Sequence, residues 1–426
     1  MAKNVSLNPL RGMRDFYPQD FAFRSWLYQK AQETLATWGF EEYDGPILEP
    51  LSLYAAKSSE EIVKKQAYTL KPPGGKKTLV LRPELTPTLA RMVAARENEL
   101  AFPLFWWSFG PFFRHEAPQA GRGREFYQIN ADILGENSPN ADAQAIAVAC
   151  ELLKNLGLTS NEVVVLINDR QYLEAKMNLI GIKKSLWQEI FRLIDKKEKL
   201  GQENYEKGLK ELGLDSLAIK DLDLALKDRD FSKESASLTE IFSTLEDLGF
   251  ASWVQFAPSI VRGFDYYTNT VFEAYLKKGS KRALLGGGRY QNLIRQVGGK
   301  KEIGGVGFAA GDMILELALK ETDRFPRFDH LGATVLVTVF NEACFRESIE
   351  LTRLLRERQI KTELYLNPHS SLSDQLAYAS KKGFPFAAIL GEKEIARQKI
   401  ALKDLKTGQQ EELSLDEAVG KISSKK

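Results

Sequence analysis

The spacing of apolar residues changes period several times along the chain, and each change predicts an element. After Asp20, residues Phe23, Trp26, Leu27, Leu35 and Trp38 recur at helical spacing, and Gly39 follows as a C′ residue, which predicts one helix. FEEYDGPILEPLSLY, from Phe40, reads as a strand interrupted by Pro46 and Pro50. AYTLKPPGGKKTLVL, from Ala67, predicts a hairpin turning at Pro-Pro-Gly-Gly. Thr86 and Pro87 then form a suitable N-cap and N1 pair for a helix running through Met92 and Ala95.

Trp107 to Gly135 is the most informative stretch: two apolar runs joined by a short loop that carries Arg114, Glu116, Arg122 and Arg124. In the second run Tyr127, Ile129, Ala131 and Ile133 share one face, while Phe126, Gln128, Asn130 and Asp132 share the other. A polar face of this kind is either the wet side of a sheet or the floor of a pocket. The partner run, Pro103 to Arg114, is aromatic almost throughout, which favours the pocket.

Pro139 to Leu156 then predicts an amphipathic helix closed by Gly157, and Val163 to Ile167 a buried strand. From about Leu179 to Phe250, Lys and Glu dominate, with Leu and Ile at helical spacing, as in an inserted helical module with a solvated charged face. Strands return at Ser252 to Ala257 and Thr270 to Tyr275, and Gly286 to Tyr290 (GGGRY) reads as a Gly-rich turn before a segment from Ile303 to Leu315. ETDRFPRFD, Glu321 to Asp329, is a polar linker at which a domain boundary is expected. Beyond it, strands at Thr334 to Phe340, Lys361 to Leu366, Phe386 to Leu390 and Ile400 to Asp404 alternate with helices at Phe345 to Gln359 and Ser373 to Lys382. That alternation predicts a small α/β domain with a mostly parallel sheet.

A chain of 426 residues calls for two or three domains. Its 59 basic and 57 acidic residues nearly balance, so a nucleic-acid partner has to be held by local patches. Cys150 and Cys344 stand far apart, which suggests neither a disulfide framework nor a thiolate metal site and fits a reducing cytoplasm. The amino-terminal residues lack an apolar signal-like core, and no run nears the roughly 18 apolar residues a membrane span needs. With only His115, His330 and His369, a zinc site or His-based triad has little raw material, and no metal ligands are expected from the chain.

Several strings carry chemistry. The arginines beside Phe126 suit bidentate contacts to carboxylate or phosphate next to a ring that can stack on a base. FRHE from Phe113, followed by PQAGRGREFYQ from Pro118, resembles motif 2 of class II aminoacyl-tRNA synthetases in the form found in the histidyl-tRNA synthetase family. The resemblance runs nearly the whole chain, beginning with RGMRD at Arg11 to Asp15. It implies that Arg114, Glu116, Arg122 and Phe126 bind ATP, and that the segment from Phe40 to Tyr54 lies at a dimer interface.

Read alone, Glu84 is a first-turn acid beside a helix dipole. LRPE-x-T resembles the family's substrate loop, which implies that Glu84 and Thr86 meet the amino group of the amino acid, with Leu85 where Gly is usual. In VRGFDYYTNTVFEAY the residues by themselves read as core tyrosines and a surface Arg262. The same string resembles the family's histidine-recognition segment, which implies Arg262 as a catalytic cation and Tyr266 and Tyr267 as walls of an imidazole pocket, with Gln128 and Asp132 on its floor. Glycines at 286–288 and a helix starting near Gly311 would allow close approach to a nucleotide and its phosphates. The motif 3 ending departs from Gly-Leu-Glu-Arg: Gly311, Asp312, Met313 and Ile314 stand there, as in a branch of bacterial and organellar members that shares LRPELTP and an Asp at 132. Asp374 likewise stands where the family often carries Lys.

The resulting expectation is an α+β catalytic domain over residues 1–325, its antiparallel sheet flanked by helices and carrying an insertion at about 179–250. An α/β anticodon-binding-like domain is expected over residues 330–426. The function implied is ATP-dependent, Mg²⁺-accompanied ligation of L-histidine to tRNA(His) through a histidyl-adenylate, catalysed with Arg114 and Arg262 in a cytoplasmic homodimer without membrane contact. The alternatives are a non-catalytic histidine-binding regulatory paralogue of histidine biosynthesis and a degenerate tRNA-binding module.

Overall fold

The protein is described here from a computed structural model covering residues 6–55, 65–231, 233–261, 267–328 and 332–424. It divides into two compact units, Met1–Phe16 with Phe23–Pro326, and Tyr17–Ala22 with Arg327–Lys426.

The first unit is built on an eight-stranded sheet. In chain order its strands and those of a small neighbouring sheet are β1 (Glu41–Glu42), β2 (Leu48–Pro50), β3 (Thr69–Leu70), β4 (Leu79–Leu81), β5 (Leu104–Phe113), β6 (Glu125–Leu134), β7 (Val163–Asp169), β8 (Val254–Phe256), β9 (Thr270–Leu276), β10 (Leu285–Tyr290) and β11 (Gly305–Gly311). The large sheet runs β1-β5-β6-β11-β10-β9-β7-β8, and the small one β2-β4-β3. From β5 to β7 every pairing is antiparallel, with parallel β1 and β8 at the edges. This is the α+β arrangement expected, and the hairpin after Ala67 forms as β3 and β4. The Pro-interrupted run after Phe40 does not make one strand, because Pro46 cannot donate to a ladder and the chain passes from β1 in one sheet to β2 in the other.

The helices that bear on the site are α1 (Pro18–Thr37), α2 (Leu51–Ala55), α3 (Thr86–Arg96) and α4 (Pro139–Asn155). α4 buries Ala141, Ala143, Ala145, Ala147 and Ala149 between the sheet and the helix over Ala236–Asp247, small residues that permit close approach. Arg289 from β10 fastens its start. Its Nε donates to Asp142 Oδ1 at 2.8 Å and its two Nη groups donate to Glu136 O and Ser138 O at 3.0 Å, while Thr270 Oγ1 donates to Asp142 Oδ2 at 2.8 Å. Asp142 also suits the positive end of α4. Between β7 and β8 lie α5 (Arg170–Leu179) and then, as the charged helical insertion, α6 (Trp187–Glu211), α7 (Ser216–Ala225) and α8 (Ala236–Asp247); the short α9 (Leu293–Gln296) follows β10.

Two local expectations fail. GGGRY is not a turn but the buried strand β10, hydrogen-bonded on both sides. Thr86 is not the N-cap of α3: Leu85 precedes the helix in αR conformation without a side-chain cap, and Pro87 falls one position deeper.

The second unit carries β12 (Val335–Val337), β13 (Thr362–Leu364), β14 (Phe386–Ile389), β15 (Ile400–Asp404) and β16 (Gln410–Leu413), ordered β13-β12-β14-β15-β16. Only the first three are parallel; β15 and β16 are antiparallel, a correction to the mostly parallel sheet expected. The stretch between β14 and β15 is shorter than the dozen or so residues a parallel crossover needs, and β16 escaped notice because QEEL is polar and largely exposed.

Arg82 ties the β1–β2 segment to β5. Fully buried, it donates from Nε to Pro111 O at 2.9 Å and from Nη1 to Asp44 Oδ1 at 2.6 Å and Gly45 O at 2.9 Å. A Cβ at Gly110 would collide with its Nη2. Gly110→Ala is therefore expected to cost about 1–3 kcal/mol, visible as a lower denaturation midpoint; an unchanged midpoint would show that Arg82 yields freely.

Candidate active site

A cavity opens on the polar face of β6. Gln128, Asn130 and Asp132 form its floor, and Glu84, Leu85, Thr86, Arg114, Tyr267 and Tyr290 stand around it. Register explains why a polar strip can stand on a buried sheet. Across β6–β11, Gln128 lies opposite Gly311, Asn130 opposite Ala309 and Asp132 opposite Gly307, so the next strand contributes almost no side-chain volume. A Cβ at Gly307 would collide with Asp132 Oδ1, and one at Gly288 would come within 2.7 Å of the Tyr267 ring.

Tyr290 Oη donates to Asp132 Oδ1 at 2.7 Å. Burial pushes the Asp132 carboxyl up to about 7, against the lowering effect of that bond. Glu84 is buried in the same cavity at 4% exposure, and Arg114 Nε donates to Pro83 O at 2.8 Å, which draws the arginine toward the segment before α3. The Arg114 guanidinium lies 5.4 Å from the centroid of Phe126, so one platform carries both a cation and a ring. Two carboxyls, one arginine and several hydroxyls around a small cavity suit a zwitterion with a polar side chain better than an apolar ligand.

Of the residues singled out in the sequence, Glu84, Thr86, Arg114, Gln128, Asp132 and Tyr267 come together here. Glu116 and Arg122 do not line this cavity; they pair with each other on the β5–β6 loop. Arg262 and Tyr266 lie outside the described residues. Tyr290 was missed as a site residue, although its place at the end of a run with almost no side chains was a signal that it supplies that strand's only large ring.

At the variant motif 3, α10 (Asp312–Glu321) follows β11 with the Asp312 carboxylate in its first turn. Asp312 accepts from Tyr127 N at 2.9 Å and pairs with Arg14 Nη2 at 2.6 Å. Gly12 O accepts from Arg124 N at 2.7 Å and Glu125 N at 3.2 Å, so the amino-terminal segment is stitched to the β5–β6 loop. The loop also rests on α10: a Cβ at Gly121 would meet Ile314 Cδ1 at 2.9 Å, and one at Gly123 would meet Met313 Sδ at 2.8 Å.

Comparisons with known proteins bear on what this site serves. A family profile described as histidyl-tRNA synthetase matches residues 12–312, and one described as anticodon binding domain matches residues 334–425. The chain belongs to the histidyl-tRNA synthetase family. It is similar to a histidine–tRNA ligase of Leptospira biflexa serovar Patoc, 37% identical across 97% of this chain and 96% of that protein. It is also similar to a chloroplastic/mitochondrial histidine–tRNA ligase of Arabidopsis thaliana, 32% identical across 97% of this chain and 86% of that one. In fold it resembles the crystal structure of histidyl-tRNA synthetase from Nostoc sp. PCC 7120, with a TM-score of 0.83 and 23% identity over 99% of this chain and 100% of that one. The fold is thus that of a class II synthetase with an anticodon-binding domain.

The Arg14–Asp312 pair yields a stability test. Arg14 is 24% exposed and Asp312 3%, so Arg14→Ala leaves a buried carboxyl without its cation and should cost on the order of 2–3 kcal/mol near pH 7. Burial already raises the Asp312 pKa and Arg14 opposes that rise, so the variant raises it further. A carboxyl whose folded pKa exceeds its unfolded one takes up a proton on folding, and its penalty falls as pH falls. Denaturant unfolding should show a smaller deficit at pH 5 than at pH 7; an equal deficit would mean that Arg14 acts through packing alone.

Proposed function

We infer that this protein ligates L-histidine to tRNA(His) at the expense of ATP. The observation that carries the reading is a family match spanning both the polar cavity and the anticodon-binding domain, together with relatives that are histidine–tRNA ligases along almost the full chain. A regulatory paralogue of the histidine pathway would not need the second domain, and nothing in the comparisons favours it or a tRNA-binding module without activity.

The reaction follows in two steps. An oxygen of the histidine carboxylate attacks the α-phosphorus of ATP, the bond to pyrophosphate breaks, and histidyl-adenylate forms. A ribose hydroxyl at the 3′ end of the tRNA then attacks the activated carbonyl and AMP leaves. ATP would enter as its Mg²⁺ complex, the cation offsetting charge on the triphosphate, with no ligand to it assigned to the chain. In our reading Glu84 and Thr86 hold the α-amino group, while Gln128, Asp132, Tyr266 and Tyr267 receive the imidazole. Arg114 and Arg262 are the catalytic cations, standing where charge grows on the phosphoryl oxygens, so that catalysis is by positioning and electrostatics rather than by a covalent intermediate. Phe126 stacks the adenine, and Glu116 and Arg122 contact the nucleotide.

Residues 1–325 form the catalytic domain and 330–426 the domain that grips the anticodon arm. The assembly is a homodimer, a reading supported by Ile47 and Leu48, apolar side chains 43% and 42% exposed in the segment after β1. None of the described helices is long and apolar enough to cross a membrane. We place the enzyme in the cytoplasm.

The deciding experiment is exchange of labelled pyrophosphate into ATP. Exchange is expected with histidine and with no other standard amino acid; folded protein that supports none with Mg²⁺ present would return the regulatory paralogue to the front.

A second test concerns Asp132. Its carboxyl is largely neutral below about pH 7 and charged above, so a charge-assisted contact to the imidazole N–H is gained as pH rises. The ligand's own titration is common to wild type and Asp132→Asn and cancels in their ratio. The ratio of histidine KM values, variant over wild type, should be near unity at pH 6 and about tenfold at pH 8, as expected for roughly 1.5 kcal/mol. A flat ratio would remove Asp132 from the ligand.

A further inference from the structure

Tyr43 lies behind the pocket in a position that the roles above leave unused. It follows β1 directly, and its N–H donates to Trp107 O at 2.9 Å. Its ring rests on Trp106, with centroids 5.4 Å apart, and Trp106 is the residue directly opposite Asp132 across β5–β6. The same ring packs against the apolar cluster that contains Tyr267 and Tyr290. The Tyr43 hydroxyl is shut off from solvent and has no hydrogen-bond partner among the described residues. A buried hydroxyl left unpaired is costly, and each such group calls for an explanation.

Asp132 supplies one. Among the described residues it is held by a single hydrogen bond, from Tyr290 to Oδ1. Burial above all, and after it the charges of Asp132 and Asp44 against the opposing Arg82, holds the Tyr43 phenol well above its ordinary range, so it stays protonated and a donor. Tyr290 from β10 thus bonds Asp132, Tyr43 from the segment after β1 stands beyond Trp106, and Glu84 and Arg114 line the same cavity.

We propose that Tyr43 is a positioning residue for histidine recognition: its hydroxyl donates to the free oxygen of Asp132 when the amino acid is bound, clamping the carboxylate between two phenols while it accepts the ring N–H. This rests on the histidine-ligase reading. A short Asp reaches less far into the cavity than a Glu, and a second donor fixes the one orientation from which it can accept. Tyr43 touches neither ATP nor the reacting carboxylate, so its effect is confined to histidine.

The test pairs direct binding with exchange kinetics. In calorimetry Tyr43→Phe should weaken histidine binding about tenfold, the size expected for a hydrogen bond to a charged acceptor. In pyrophosphate exchange the histidine KM should rise by the same factor, with kcat and the KM for ATP within about twofold of wild type. Adding Tyr43→Phe to Asp132→Asn should weaken binding no further, because the clamp needs the charged partner. Unchanged histidine affinity in Tyr43→Phe, or effects that simply add in the double variant, would overturn the proposal and leave Tyr43 a packing residue. Wild-type protein that binds histidine without exchanging pyrophosphate would defeat the ligase reading alone, while one that binds no histidine would defeat both.

Discussion

Polar side chains on a buried sheet face need room and partners, and this site exists because β11 supplies the room. Gln128, Asn130 and Asp132 each stand beside a residue with little or no side chain. Their hydrogen-bonding ends therefore project into a cavity instead of being crushed against a neighbouring strand. The large rings of Tyr267 and Tyr290 fill the space over the adjacent glycines of β10 and β11, so the same small residues that open the floor also seat the walls. Site and sheet are one packing problem, and Arg289 and Arg82 hold its two margins through backbone carbonyls.

Most of the catalytic unit was legible in the chain because β5 is a long aromatic run, β6 alternates apolar and polar residues from Phe126 to Ile133, and their loop is rich in arginine. The polar strip announced a pocket, and Glu84, Thr86, Arg114, Gln128, Asp132 and Tyr267 indeed meet in one. β10 was not legible. Three consecutive glycines carry no periodic signal and little strand propensity, and the rings that make them tolerable arrive from elsewhere in the chain. Tyr290 was hidden for the same reason, and the tie between Arg14 and Asp312 spans 298 residues, beyond the reach of any local pattern. The cap of α3 was misplaced by one residue, an ordinary uncertainty at helix ends.

The amino-terminal segment takes on an organising role. Through Gly12 and Arg14 it binds both the return of the β5–β6 loop and the first residue of α10. The loop settles on the apolar Ile314 of α10.

An apolar seat of this kind sets which physical conditions govern that contact. An arginine held by phosphate or carboxylate weakens as salt rises, whereas the seat of Gly121 and Gly123 on Ile314 and Met313 is nearly indifferent to ionic strength. Its strength follows hydration of apolar surface instead, and that contribution fades on cooling. The loop's seat on α10 is in this way coupled to temperature more than to the ionic medium.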